Sequence, residues 1–166
     1  MSKLTKEFYN IQNPALGAYL LARFSLGYLE ENQSMPPMPL LFVVLPMIYK
    51  KDVVDFISST QKTSSLHFFA DKFTEKQNSN NDLIIQIQGL SQQYKMMTLE
   101  ALRISIIGEL ISIQDKVYIL PLRDNINDFK PKTKDIRKMG NAAEKFGIWC
   151  SRLSLVEISQ ILKVRF

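Results

Sequence analysis

The chain holds a single histidine, and its position invites a metal reading: His67, Asp71 and Glu75 fall at i, i+4 and i+8, a line down one helix face. Such a line is a conceivable half of a metal site. A zinc ion needs three or four protein ligands, and no second cluster of histidine and cysteine exists in the sequence to complete the set. His67, beside Phe68 and Phe69, reads as a packed or capping residue. Cys150 follows Trp149 on an apolar helix face, with no second histidine to act as its base. A nucleophilic thiol wants an electropositive, partly exposed setting, so a buried structural thiol is expected. Asp52 and Asp55 could form a carboxylate pair, but charges at a helix start explain them equally well. None of the six glycines falls in a Gly-x-x-x-x-Gly-Lys or Gly-x-Gly-x-x-Gly run, which excludes a phosphate-cradling loop. These residues predict no catalytic centre, no metal and no cofactor.

The remaining chemistry is charge. The chain carries 21 basic and 16 acidic residues, a net +5 with a pI near 9.3. Much of the excess is local: Lys130, Lys132, Lys134, Arg137 and Lys138 stand against Asp135 alone, a net +4 over nine residues. A field of that kind attracts phosphate or an acidic protein face, and it is also what a solvated loop and helix start would carry.

Length and composition bound what positions these groups. A chain of 166 residues fits one domain, and a hydrophobic fraction of 46% supplies an ordinary globular core. One cysteine cannot form an internal disulfide. The opening residues show no secretory signal. The longest apolar run, Leu40 to Tyr49, contains Pro46 and is far short of the roughly 20 residues a membrane span requires. A soluble cytoplasmic protein without membrane contact is expected.

The first element is predicted to start at Asn13-Pro14, a capping residue followed by a residue tolerated in the first helical turn, and to run to Glu31. Leu16, Leu20, Phe24 and Tyr28 share one face; Ala15, Ala18, Ala22 and Ser25 make an adjacent face of small side chains. That small face admits a second helix closely, either from this domain or from a partner. Asn13, Pro14, Ala15, Ala18, Tyr19, Ala22 and Arg23 are accordingly candidate partner-interface residues. Leu40 to Tyr49 is apolar all round and predicts a short buried helix. Lys51 to Ser58 and Ser65 to Thr74 predict two more, with Ser64 or Ser65 as a cap. Glu75 to Asp82 and Arg123 to Lys134 are the most polar stretches and read as surface loops.

From about 82 to 122 the order is helix, turn, helix, hairpin. Leu83, Ile84, Ile87 and Leu90 fit one helix face, and Gln92 to Lys95 read as the connection. Thr98 can cap a second helix carrying Leu99, Leu102, Ile106 and Ile107, with Gly108 at its end. Leu110 to Ile113 and Val117 to Leu120 are β-branched runs joined by Gln114-Asp115-Lys116. This is the order of a winged helix-turn-helix. The second helix offers base edges only Glu100, Arg103 and Ser105, which suits a protein joint better than DNA reading. A helical portion from about 132 to 166 follows: Thr133 to Arg152, with Ile136, Met139, Ala143, Phe146 and Trp149 in register, then a Ser154-x-x-Glu157 capping box opening a last helix on Leu155, Ile158, Ile161 and Leu162. The fold expected is mainly α with a small β-hairpin, a winged helix-turn-helix-like single domain over 1–166 with additional terminal helices.

Asn13-Pro14-Ala15-Leu16-Gly17-Ala18-Tyr19-Leu20-Leu21 resembles the opening motif of the middle components of bacterial three-component ABC systems. Pro39 to Pro46, Ser65-Leu66-His67 and the end at Ile161-Leu162-Lys163-Val164-Arg165-Phe166 resemble the same family in the same order. Lys163 and Phe166 stand where family members often carry glycine and proline, and Ala22 where an aromatic is common. The resemblance implies a defence cassette of the Lamassu type against phages or plasmids. There, an SMC-like ABC ATPase senses DNA and a separate effector subunit carries a nuclease or other toxin. The middle subunit, a non-catalytic adaptor, joins the two. DNA would be met through the assembled complex, with the basic residues from Lys130 to Lys138 adding phosphate contacts. The alternative is a stand-alone winged-helix DNA-binding regulator of transcription.

Overall fold

The computed structural model describes residues 13–76 and 83–166; most of the polar stretch from Glu75 to Asp82 lies outside them. The protein is mainly α-helical, with one two-stranded antiparallel hairpin among the described residues. Its centre is helix α1, Pro14–Asn32, opened as predicted by the Asn13 side chain, which accepts a hydrogen bond from the Ala15 amide at 2.9 Å. Between Gly17 and Tyr28 every residue of α1 except Arg23 is buried. A helix apolar on all sides must be enclosed by others.

The prolines then restart the chain. A 3₁₀ turn over Met38–Val43 leads into the short helix α2, Val44–Ile48, and Leu40, Leu41 and every residue from Val43 to Ile48 are buried. Pro46 is tolerated because it falls in the first turn of α2, where its missing amide leaves no bond unmade. Helix α3, Lys51–Ser59, and helix α4, Leu66–Lys76, follow. Ser65 caps α4, accepting from the Phe68 amide at 3.1 Å.

Helix α5, Leu83–Gln93, and helix α6, Lys95–Ile107, are separated by Tyr94 alone. The predicted connection at Gln92 to Lys95 is therefore almost wholly helical, and Thr98 is not a cap but a buried residue one turn inside α6. Gln and Lys are good helix formers, so a polar tetrapeptide without Gly or Pro has no reason to break. Strands β1, Ile111–Gln114, and β2, Tyr118–Pro121, pair in the register Ile111–Pro121 to Gln114–Tyr118. Asp115 and Lys116 both take positive φ, 49° and 66°, in the connecting loop, the handedness that tight hairpins favour. The hairpin leans on the proline stretch: the Met38 amide donates to the Val117 carbonyl at 2.7 Å and the Ile119 amide to the Pro36 carbonyl at 3.0 Å.

The stretch predicted as a loop after the hairpin contains a short helix, α7, Arg123–Asp128, anchored by the fully buried Ile126. One apolar residue at the right phase suffices to dock a single turn, which polar composition hides. Helix α8, Lys134–Ser151, starts at Thr133, whose hydroxyl accepts from the Ile136 amide at 3.2 Å. Helix α9, Leu155–Leu162, starts with the predicted capping box: the Ser154 amide donates to the Glu157 carboxylate at 2.7 Å, and the Glu157 amide to the Ser154 hydroxyl at 3.3 Å. The Ser154 amide and the Ser154 hydroxyl, which donates to the same carboxylate at 2.8 Å, hold the Glu157 carboxyl below its ordinary range.

Helix α9 ends on Lys163, held in the left-handed conformation at φ 52°. That region costs a residue with a side chain roughly 1–2 kcal/mol, and glycine nothing comparable. Lys163→Gly should therefore raise stability by about 1 kcal/mol, seen as a higher urea midpoint at unchanged slope. An unchanged or lower midpoint would show that the Lys163 side chain returns the cost elsewhere.

The apolar side chains of these elements join in one core, built around Leu20, Leu21, Phe24, Leu45, Phe69, Phe146 and Trp149. Among the described residues no helix is long and apolar enough to cross a membrane.

Candidate functional site

Two surfaces of different chemistry stand out. The first is a cleft of about 490 Å³ between α3, the connector behind it and the first half of α8. Lys134, Arg137, Lys138 and Asn141 line it from α8, at i, i+3, i+4 and i+7, so one helical face presents them all. Lys62 and Lys145 join them, which makes five cations against one lining carboxylate, Glu144.

The cations do different work. The Lys145 ammonium donates to the carbonyls of Ile57 at 2.7 Å, Ser58 at 3.3 Å and Thr60, so it satisfies the open end of α3. Burial, with the Lys62 charge adding to it, lowers its pKa. Lys138 pairs with Asp55, whose carboxyl the Lys138 hydrogen bond holds below the usual range; both side chains are about half exposed, so the pair is weak. Glu144 is bonded by Arg23 of α1 and lies 3.6 Å from the Lys62 ammonium. Arg23 also reaches the Asn141 amide oxygen at 3.3 Å. Lys134 and Arg137 are exposed, and no described carboxylate pairs with either.

Of the predicted basic strip, then, Lys134, Arg137 and Lys138 share the cleft. Lys130 and Lys132 lie before α8 and do not line it; Lys130 donates to the Asn127 carbonyl at 2.9 Å. Lys62 and Lys145 carried no signal in the sequence, since only the packing of α3 and α4 against α8 brings them there.

The small-residue face of α1 is occupied by the chain's own helices. Ala18, Tyr19 and Ala22 are buried, and the Ser105 hydroxyl of α6 donates to the Ala18 carbonyl at 2.9 Å. A Cβ on Gly27 would stand 2.1 Å from the Glu144 carbonyl oxygen of α8. Within the chain, Asn13 and Ala15 stay exposed, Pro14 and Arg23 half-buried.

The second surface is the outer side of α6. Its inner side, Thr98, Ala101, Leu102 and Ser105, is buried. Met96, Leu99, Arg103, Ile106 and Ile107, at i, i+3, i+7, i+10 and i+11, share the opposite side; Met96 is 74% exposed, Ile107 67%, Leu99 41% and Ile106 40%. Of the four apolar residues that the sequence placed on this helix, Leu102 is buried while Leu99, Ile106 and Ile107 face outward, because the close approach to α1 at Gly17 and Ala18 accepts only small or hydroxyl side chains. Glu100 and Arg103 are bonded to each other at 2.6 and 2.9 Å, and Ser105 is buried, so none of the three is poised for a base edge.

Among the described residues the candidates form no metal-ligating cluster. His67 and Asp71 are exposed, and the Glu75 side chain lies outside the described residues. Cys150 is fully buried, and burial pushes its thiol well up.

A protein-family model described as the ABC-three component (ABC-3C) system Middle Component 3 matches residues 1–166. No curated protein and no solved structure matches.

Proposed function

Since the chain belongs to the Middle Component 3 family of ABC-three component systems, we propose that it is a non-catalytic adaptor that joins an SMC-like ABC ATPase to an effector subunit. The system is a cytoplasmic defence complex, of the Lamassu type. The observation that carries the adaptor role is the exposed apolar side of α6. Four large apolar side chains on one side of a helix, with an internally paired Glu100–Arg103 among them, suit an amphipathic helix of a partner subunit laid alongside. Within the Lys130–Lys138 segment, the cations carried by α8 supply the second role, phosphate contacts when the assembled complex grips DNA.

Co-expression of the tagged chain with its two neighbouring gene products tests the adaptor role. The wild type should retain both. Leu99→Glu/Ile107→Glu should lose one of them, because two charges in an interface centre cost at least about 2 kcal/mol each. Exposed substitutions barely move the fold, so the melting temperature should stay within a few degrees. A stable monomer that retains neither product, or turnover of a substrate by the chain alone, would end this reading.

A further inference from the structure

We infer that the cleft between α3 and α8 docks the phosphate backbone of a nucleic-acid duplex, with Lys62, Lys134, Arg137 and Lys138 as the phosphate contacts and Arg23 as a positioning residue. This deepens the reading of a complex that grips DNA, and rests on it, but moves the contact from a linear strip to a built cleft.

Three observations select the ligand. First, the α8 residues from Lys134 to Asn141 span seven helical steps, about 10 Å. One nucleic-acid strand carries a phosphate for every ~3.4 Å of duplex axis, so a row of this length meets more than one phosphate and is too long for one free anion. Second, none of the described residues that line the cleft is aromatic. Single strands are held largely by bases stacked on aromatic side chains, so this surface recognises the charged exterior of a duplex without reading sequence. Third, its one lining carboxylate is answered from behind: Arg23, on α1, bonds Glu144 and reaches Asn141. The Arg23 charge cancels the Glu144 charge without occupying the cleft, leaving Lys62 free to turn outward. Lys145 is spent on the end of α3 and contributes no contact.

The test uses the full chain, a short random-sequence duplex and binding isotherms between about 50 and 200 mM salt. Each real contact adds about 0.9 to the slope of log affinity against log salt. Replacing Lys62, Lys134, Arg137 and Lys138 together by Ala should flatten that slope by about 3 to 4, whereas Lys130→Ala/Lys132→Ala should leave it unchanged. The matching single strand should bind at least tenfold more weakly. Inorganic phosphate at millimolar concentration should not displace the duplex. Arg23→Met should weaken duplex binding several-fold, and in a Glu144→Gln background the same change should have no effect; that cancellation separates charge compensation from damage to the fold.

No binding by the wild type, an unflattened slope in the four-fold variant, or displacement of the duplex by polyglutamate as readily as by unlabelled duplex would overturn the inference. The last outcome would assign the cleft to an acidic protein segment. The four-fold variant should still retain both partner subunits, and Leu99→Glu/Ile107→Glu should still bind duplex, so failure of the cleft and failure of the adaptor reading are told apart.

Discussion

Gly147→Ala, one added methyl group, should destabilise the protein by about 3 kcal/mol even though alanine is the better helix former. A Cβ at Gly147 would lie 2.1 Å from the Phe24 carbonyl oxygen and 3.0 Å from the Tyr28 amide nitrogen. Carbon and oxygen approach to roughly 3.3 Å even in favourable C–H contacts, so α1 and α8 must part by about an ångström. Neither obstacle is a flexible side chain. Both are backbone, and the separation would spread along the most extensive helix contact in the protein, loosening the Phe24–Phe146 pair, whose rings stand 5.4 Å apart. Overpacking of this kind costs roughly 1–3 kcal/mol and sometimes more; helix propensity returns at most about 1.

Gly89→Ala is the control. It sits in α5 with no atom within 4 Å of an added Cβ, so the same chemical change should stabilise by about 1 kcal/mol. Gly27 opposes the Glu144 backbone as Gly147 opposes Phe24. The double variant Gly27→Ala/Gly147→Ala should therefore cost less than the sum of the singles, because the first methyl already separates the helices. Urea unfolding followed by the fluorescence of the single tryptophan reads all of these. Equal, stabilising effects at Gly147 and Gly89 would refute the close approach.

Which features could be read from residues alone follows from how local their causes are. Asn13, Ser65, Thr133 and the Ser154–Glu157 box announce helix starts, because a cap bonds within three residues of itself. The hairpin and the buried run after Pro39 were readable for the same reason. The orientation of α6 was not. Four of its apolar residues, Met96, Leu99, Ile106 and Ile107, are exposed and only Ala101 and Leu102 are buried, and the fit of Ala101 and Ser105 against Gly17 and Ala18 decides which side faces in. The cleft was half readable: Lys134, Arg137 and Lys138 lie close together in sequence, while Lys62 reaches them only through the connector between α3 and α4.

That connector is where the second large effect is expected. Trp149→Ala should cost about 3–5 kcal/mol, the range for removing a fully buried large aromatic. Trp149 is wholly inaccessible and packs on Phe69 at a ring separation of 5.9 Å. Its indole NH donates to the Lys62 carbonyl at 3.2 Å. Lys145, Trp149 and Arg152 stand at i, i+4 and i+7, and together they answer carbonyls of the α3 end and the connector: Lys145 those of Ile57, Ser58 and Thr60, Trp149 that of Lys62, and Arg152 that of Ser64 at 2.9 Å. A segment without secondary structure of its own is thereby fixed by donors from one side of α8. Trp149→Phe divides the contributions. It keeps most of the apolar volume but leaves the Lys62 carbonyl without its donor, a loss of about 1 kcal/mol. Unfolding must then be followed by circular dichroism, since the fluorescent residue is gone. If Trp149→Phe matched Trp149→Ala in cost, the hydrogen bond to the connector, and not the packing, would be what Trp149 chiefly supplies.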